Sequence, residues 1–223
     1  MTENAEYSEG FADNNGVRIF YRDYGPVSGD PVLMVHGLGA QLVHWPPHLI
    51  NFLQAHNFRP ITYDNRDVGL SSRFVGTPSF ILDYIKYFLR IPIKSEYTID
   101  DMATDAIAVL DELKVDKSHI LGISMGGMIA QIIVSSYPER TKTFTLIAST
   151  ASTPSPFNGP TREVRKLFLE RTKNIDASID DRVNRSKRLF KIIGYDGIDL
   201  DTCLLYTSPS PRDQRGSRMP SSA

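Results

Sequence analysis

Apolar and polar positions follow two different periods along this chain, and each change of period marks out an element. Val17-Arg18-Ile19-Phe20-Tyr21-Arg22 alternates with the period of two of a half-buried strand. Asn14-Asn15-Gly16 ahead of it is a turn signal, so Gly10–Tyr24 is predicted as a hairpin. Pro31-Val32-Leu33-Met34-Val35 is apolar throughout, which suits a strand covered on both faces, as in a parallel sheet. From Trp45 to Asn57 the spacing turns helical, with Leu49, Ile50 and Leu53 as the buried stripe and Pro46 and Pro47 tolerated in the first turn. Arg59–Asp64 reads as another strand, leading into the turn Asn65-Arg66-Asp67-Val68-Gly69-Leu70-Ser71. Phe80, Ile81, Tyr84, Ile85, Phe88 and Leu89 recur at helical spacing until Pro92. A packed helix is the main reading there, and an apolar wall near a substrate pocket the minor one.

Thr98-Ile99-Asp100-Asp101 matches a capping box, and Met102, Ala106, Leu110 and Leu113 line one face of the helix behind it. A short strand, His119-Ile120-Leu121, then meets the apolar run Met128–Val134, which stops at Tyr137-Pro138 because proline disfavours a helical residue before it. Phe144–Ala148 reads as one more buried strand. Strand and helix alternate after the hairpin, which predicts an α/β fold: a mostly parallel, doubly wound sheet with helices on both faces. Residues 1–150 form this core. Ala151–Pro160 is a Ser/Thr/Pro-rich connector, and Thr161–Ile193 is polar and helix-prone. Its basic residues, from Arg162 to Lys191, are interleaved with Glu163, Glu170, Asp176, Asp180 and Asp181, which argues against a nucleic-acid surface.

The chemistry is carried by Gly122-Ile123-Ser124-Met125-Gly126-Gly127, between the short strand and the next helix. A G-x-S-x-G at a strand-to-helix turn reads as a nucleophile elbow. Gly122 and Gly126 stand where neighbouring backbone leaves no room for a Cβ, and Ser124 presents its hydroxyl at a helix N-terminus that favours an oxyanion. The totals narrow the class further. Of 223 residues 41% are hydrophobic and 23% charged, and the net charge of −1 makes no case for nucleic acid or an anionic membrane as a partner. No secretory signal opens the chain and no apolar run is long enough to span a bilayer. The one cysteine, Cys203, excludes an internal disulfide and fits a reducing, cytoplasmic setting. No metal site is expected, since Pro46 and Pro47 interrupt the pair His44 and His48. No phosphate-binding glycine loop is present either, so no cofactor is expected.

Three stretches in this order resemble the α/β-hydrolase superfamily: His36-Gly37-Leu38-Gly39 after the third strand, the Asp64–Ser71 turn, and the Gly122–Gly127 elbow. The wording looks most like the aclacinomycin-methylesterase-like branch. The resemblance covers about Gly10–Thr150, and residues 151–202 look like the beginning of the family's helical cap. It implies a small-molecule substrate with an ester-type carbonyl, attacked by Ser124. It also implies an oxyanion hole made by the backbone N–H groups of Leu38 and Met125. His36 then braces its loop together with Gly37, Asp64 and Arg66 fix their turn, and Gly69 supplies its bend.

In this superfamily the order is serine, acid, histidine. His36, His44, His48, His56 and His119 all precede Ser124, so the chain holds no base where the fold would place it. Asp196, Asp199 and Asp201 read as parts of a cap loop, not as the acid. Cys203–Asp213 matches a translated sequencing adapter residue for residue, and Ser217–Ala223 matches its continuation after a variable index. Residues 203–223 are accordingly read as a disordered, non-native tail, and the chain as an N-terminal fragment of a serine hydrolase, truncated within the cap and inactive alone. The alternatives are a non-catalytic ligand-binding relative, or a C–C hydrolase or perhydrolase on the same fold.

Overall fold

A computed structural model of the chain describes residues 6–74, 95–151, 161–164, 166 and 179–193. These fall into two compact units, one within residues 1–151 and one within 152–208. The predicted helix over Phe80–Leu89, the Asp196–Asp201 loop and the 203–223 tail lie outside the described residues.

Among the described residues the first unit is built on a six-stranded sheet. Its strands are β1 (Ser8–Asn14), β2 (Val17–Asp23), β3 (Asp30–Val35), β4 (Phe58–Tyr63), β5 (Ser118–Ile123) and β6 (Thr141–Ile147). They lie in the order β1-β2-β4-β3-β5-β6. β1 and β2 form the hairpin, in which Asn14 faces Val17. Asn15 (φ 53°) and Gly16 (φ 88°) both have the positive φ that a two-residue turn with the twist of the strands requires. β2 joins β4 antiparallel, whereas β4, β3, β5 and β6 are mutually parallel.

Among the described residues three helices flank this sheet, α1 (Pro47–Ala55), α2 (Ile99–Glu112) and α3 (Met125–Ser136), and a turn of 3-10 helix over Leu42–His44 leads into α1. Alternation along β3 divides the core in two. Val32 and Met34 join Trp45 and Ile50 on one face, with Leu49 and Leu53 packed against them. Leu33 and Val35 join Ile61, Tyr63 and the apolar sides of α2 and α3 on the other. Met102, Ala106 and Leu110 are the buried stripe of α2, whose Thr98 and Asp101 close a reciprocal cap. The sheet is therefore covered on both faces, as the apolar run of β3 predicts.

The last strand departs from expectation. Among the described residues β6 has only β5 as a neighbour, and Phe144, Leu146 and Ile147 are each about two-fifths exposed instead of buried. An apolar run shows that a strand can be covered, but not that covering elements are in place. In the second unit the described helix is α4 (Ile179–Ile193), with Val183 buried.

Candidate active site

β3 and β5 are adjacent and parallel, while the chain leaves β3 for β4 on one side and reaches β5 on the other. The carboxyl ends of such strands open a crevice, where ligands of α/β sheets bind. The segment after β3 begins with His36-Gly37 and the segment after β5 with Ser124, so the fold brings both sequence candidates to one place.

Ser124 is exposed and holds φ 55°, ψ −123°, a conformation that non-glycine residues rarely adopt. The surroundings impose it. Its N–H donates to the Ile147 carbonyl (2.9 Å), its carbonyl accepts from Gly127 (2.9 Å), and α3 starts at the next residue. The glycines allow the approach: a Cβ on Gly122 would lie 2.5 Å from the Gly126 carbonyl oxygen, and one on Gly126 would lie 2.1 Å from that of Val35. Gly37 abuts the serine, since a Cβ there would come within 3.2 Å of Ser124 Cβ and 3.6 Å of its Oγ. Leu38, the next residue, is 62% exposed beside this point. Met125 is the first residue of α3, so its N–H has no acceptor within the helix.

The residues around the serine form a brace. His36 Nδ1 accepts from the Gly37 N–H (2.9 Å), and the His36 ring lies 4.6 Å from that of Trp45. Burial, and secondarily His44, lower the His36 pKa to about 4, so the ring is neutral near pH 7. His44 is likewise held below its ordinary value by burial, and its Nδ1 accepts from the Gln41 N–H (2.8 Å). Asp64 is buried, with one carboxylate oxygen accepting from Leu42 N–H (2.8 Å) and the other from Leu70 N–H (3.0 Å). Burial pushes its pKa up, opposed by those two donors. Gly69 has φ 53°, and a Cβ there would overlap the Asp64 carboxylate. Arg66 reaches away from its own turn to α2. It makes a two-pronged buried pair with Asp105 (2.6 and 2.7 Å), and its guanidinium carbon lies 5.3 and 5.0 Å from the rings of Phe74 and Tyr97, which touch each other.

Two further residues, Asn65 and Asp105, complete these contacts. Asn65 Nδ2 donates to the His36 carbonyl (3.2 Å), and Asp105 also accepts from Asn14 Nδ2 (2.8 Å). No sequence signal marks either partner, because 29 residues separate Asn65 from His36 and 39 separate Arg66 from Asp105. Among the described residues no group of three or more His, Cys, Asp and Glu side chains is placed to hold a metal. No described helix is long and apolar enough to cross a membrane.

A serine on a strand-to-helix turn, beside a glycine loop at the switch point of a mostly parallel sheet, places the chain in the class of open α/β proteins with a ligand crevice at the strand ends. The profile of the alpha/beta hydrolase fold matches residues 30–186, and the chain belongs to that family. Among its relatives, the rhodomycin D methylesterase DauP of Streptomyces sp. (strain C5) is 31% identical over 131 residues, 59% of this chain and 39% of that protein. The 3-oxoadipate enol-lactonase 2 of Acinetobacter baylyi is 29% identical over 136 residues, 61% of this chain and 43% of that protein. These alignments thus span about two-fifths of each relative's length. Among solved structures, the 2-hydroxy-6-oxo-6-phenylhexa-2,4-dienoate hydrolase of Rhodococcus sp. strain RHA1 superposes with a TM-score of 0.64. At 19% identity, over 94% of this chain and 69% of that one, it shows the fold alone.

Proposed function

We propose that Ser124 is the nucleophile of a serine hydrolase that cleaves ester-type bonds of small molecules through an acyl-enzyme. The observation that carries this reading is the conformation of Ser124. An exposed hydroxyl held at positive φ, against Gly37 and at the start of α3, is costly to maintain without a use. Attack on a carbonyl would develop negative charge beside the N–H groups of Leu38 and Met125, our candidate oxyanion donors. Removing one donor of such a hole costs roughly 10²–10³ in turnover. Relatives named methylesterase and enol-lactonase support an ester-type bond, beside others named carbamate hydrolase.

A serine needs a base, and this chain has no histidine beyond Ser124. We therefore assign the acid and the histidine to native sequence outside this chain, and expect the chain alone to show little ester turnover. A serine-directed phosphonate is expected to label the full-length protein and to fail on Ser124→Ala. A folded full-length protein that resists the probe would overturn the reading and leave a ligand-binding role. Turnover of a p-nitrophenyl ester by residues 1–202, abolished in Ser124→Ala, would instead refute the assignment of the base.

A further inference from the structure

We propose that Asp64 and Asn65 are positioning residues that clamp the two ends of the loop 36–42 and so set the Leu38 N–H beside Ser124. The proposal rests on the reading of Ser124 given above. The two residues are consecutive at the end of β4, and both are buried, with 3% and 1% exposure. Asn65 Nδ2 donates to the carbonyl of His36, where the loop leaves β3 (3.2 Å). Asp64 accepts the N–H of Leu42, where the loop enters its 3-10 turn (2.8 Å). Two consecutive side chains just after β4 thus fix both ends of a loop from a neighbouring strand.

The Asn65 end bears directly on the elbow. A Cβ on Gly126 would lie 2.7 Å from the His36 carbonyl oxygen, so that carbonyl is held between the Asn65 amide and the elbow glycine. Gly37 follows, against Ser124, and then Leu38. Bonds local to the loop tie it to itself and to the turn it enters: Gly37 N–H turns back onto His36 Nδ1, Ala40 N–H closes onto the Gly37 carbonyl at 3.2 Å, and Gln41 N–H donates to His44 Nδ1. Freed at either end, the segment could slide while its internal bonds stayed intact. A displacement of about 1 Å at a reacting centre can cost ~10²-fold in rate.

The test uses Asn65→Ala, which removes the donor, and Asp64→Asn, which leaves one acceptor oxygen for two N–H groups. In the 223-residue chain, amide hydrogen exchange at Gly37–Leu42 should accelerate about tenfold or more in each variant, with α2 and α3 unchanged. In the full-length protein, turnover per phosphonate-titrated site should fall about 10- to 100-fold with KM within about threefold. A merely structural residue would lower the titrated fraction and leave turnover per site intact. Unchanged loop exchange in both variants overturns the clamp, as does turnover per site within about twofold of wild type. Should wild type resist the phosphonate, the catalytic reading fails and the exchange arm still decides the clamp. If both variants lose the fold, the side chains serve the core and the proposal falls.

Discussion

Two residues near the candidate nucleophile carry sharply different physical burdens. Gly126 is a problem of space. A methyl group there would lie 2.1 Å from the Val35 carbonyl oxygen and 2.7 Å from that of His36, and neither backbone atom can move without parting β3 from the elbow. Gly126→Ala is expected to cost about 3 kcal/mol, at the upper end of overpacking, read as a lowered urea midpoint. His36 is a problem of charge. With its folded pKa lowered to about 4 from 6.5, the unfolded chain takes up a proton between those pH values that the folded chain refuses. This part of the stability is complete above pH 6.5 and is lost as the pH falls toward 4, at most about 3 kcal/mol in all. Acidification from pH 7 to 5 should therefore lower the urea midpoint more in wild type than in His36→Gln. Equal slopes would mean that the ring titrates freely. His44 acts in the same direction, so the comparison between variants isolates His36.

At the scale of elements, the turn after β4 is tied to α2 by a buried ion pair. The Arg66 and Asp105 side chains are 6% and 1% exposed, and each lies in a setting with little water to replace the other. Removing one partner leaves an uncompensated buried charge, so Asp105→Ala should cost about 3–5 kcal/mol. Arg66→Met with Asp105→Leu should cost clearly less than that single change. A double-mutant cycle by urea unfolding checks it, and additive losses would show that the pair is not coupled. The cap of α2 is a smaller matter: Thr98→Ala should cost about 1 kcal/mol by freeing the Asp101 N–H.

For the whole molecule, the open side of β6 decides behaviour in solution. Phe144, Leu146 and Ile147 present apolar surface on a strand with a single neighbour among the described residues, which is a template for association. The chain is expected to self-associate as its concentration rises, seen by sedimentation velocity. Phe144→Lys should reduce that association while leaving the melting temperature within a few degrees, because Phe144 is 39% exposed. A monodisperse wild-type chain at high concentration would show that this face is already covered.

Local grammar in the sequence determined most of the first unit. The Asn-Gly turn, the unbroken apolar run of β3, the Thr98 cap and the glycines around Ser124 each act over a few residues, so they could be recognised without knowing what packs against them. The same locality explains the elbow, since a serine between glycines at a change of period is a feature of adjacent residues. Three things waited for the tertiary structure: the exposure of β6, the partnership of Arg66 with Asp105, and the hold of Asp64 and Asn65 on the loop after β3. Each depends on residues from different elements meeting in space. Periodicity records which face of an element is apolar, whereas a hydrogen bond between side chains dozens of residues apart exists only once sheet order and register have placed them together.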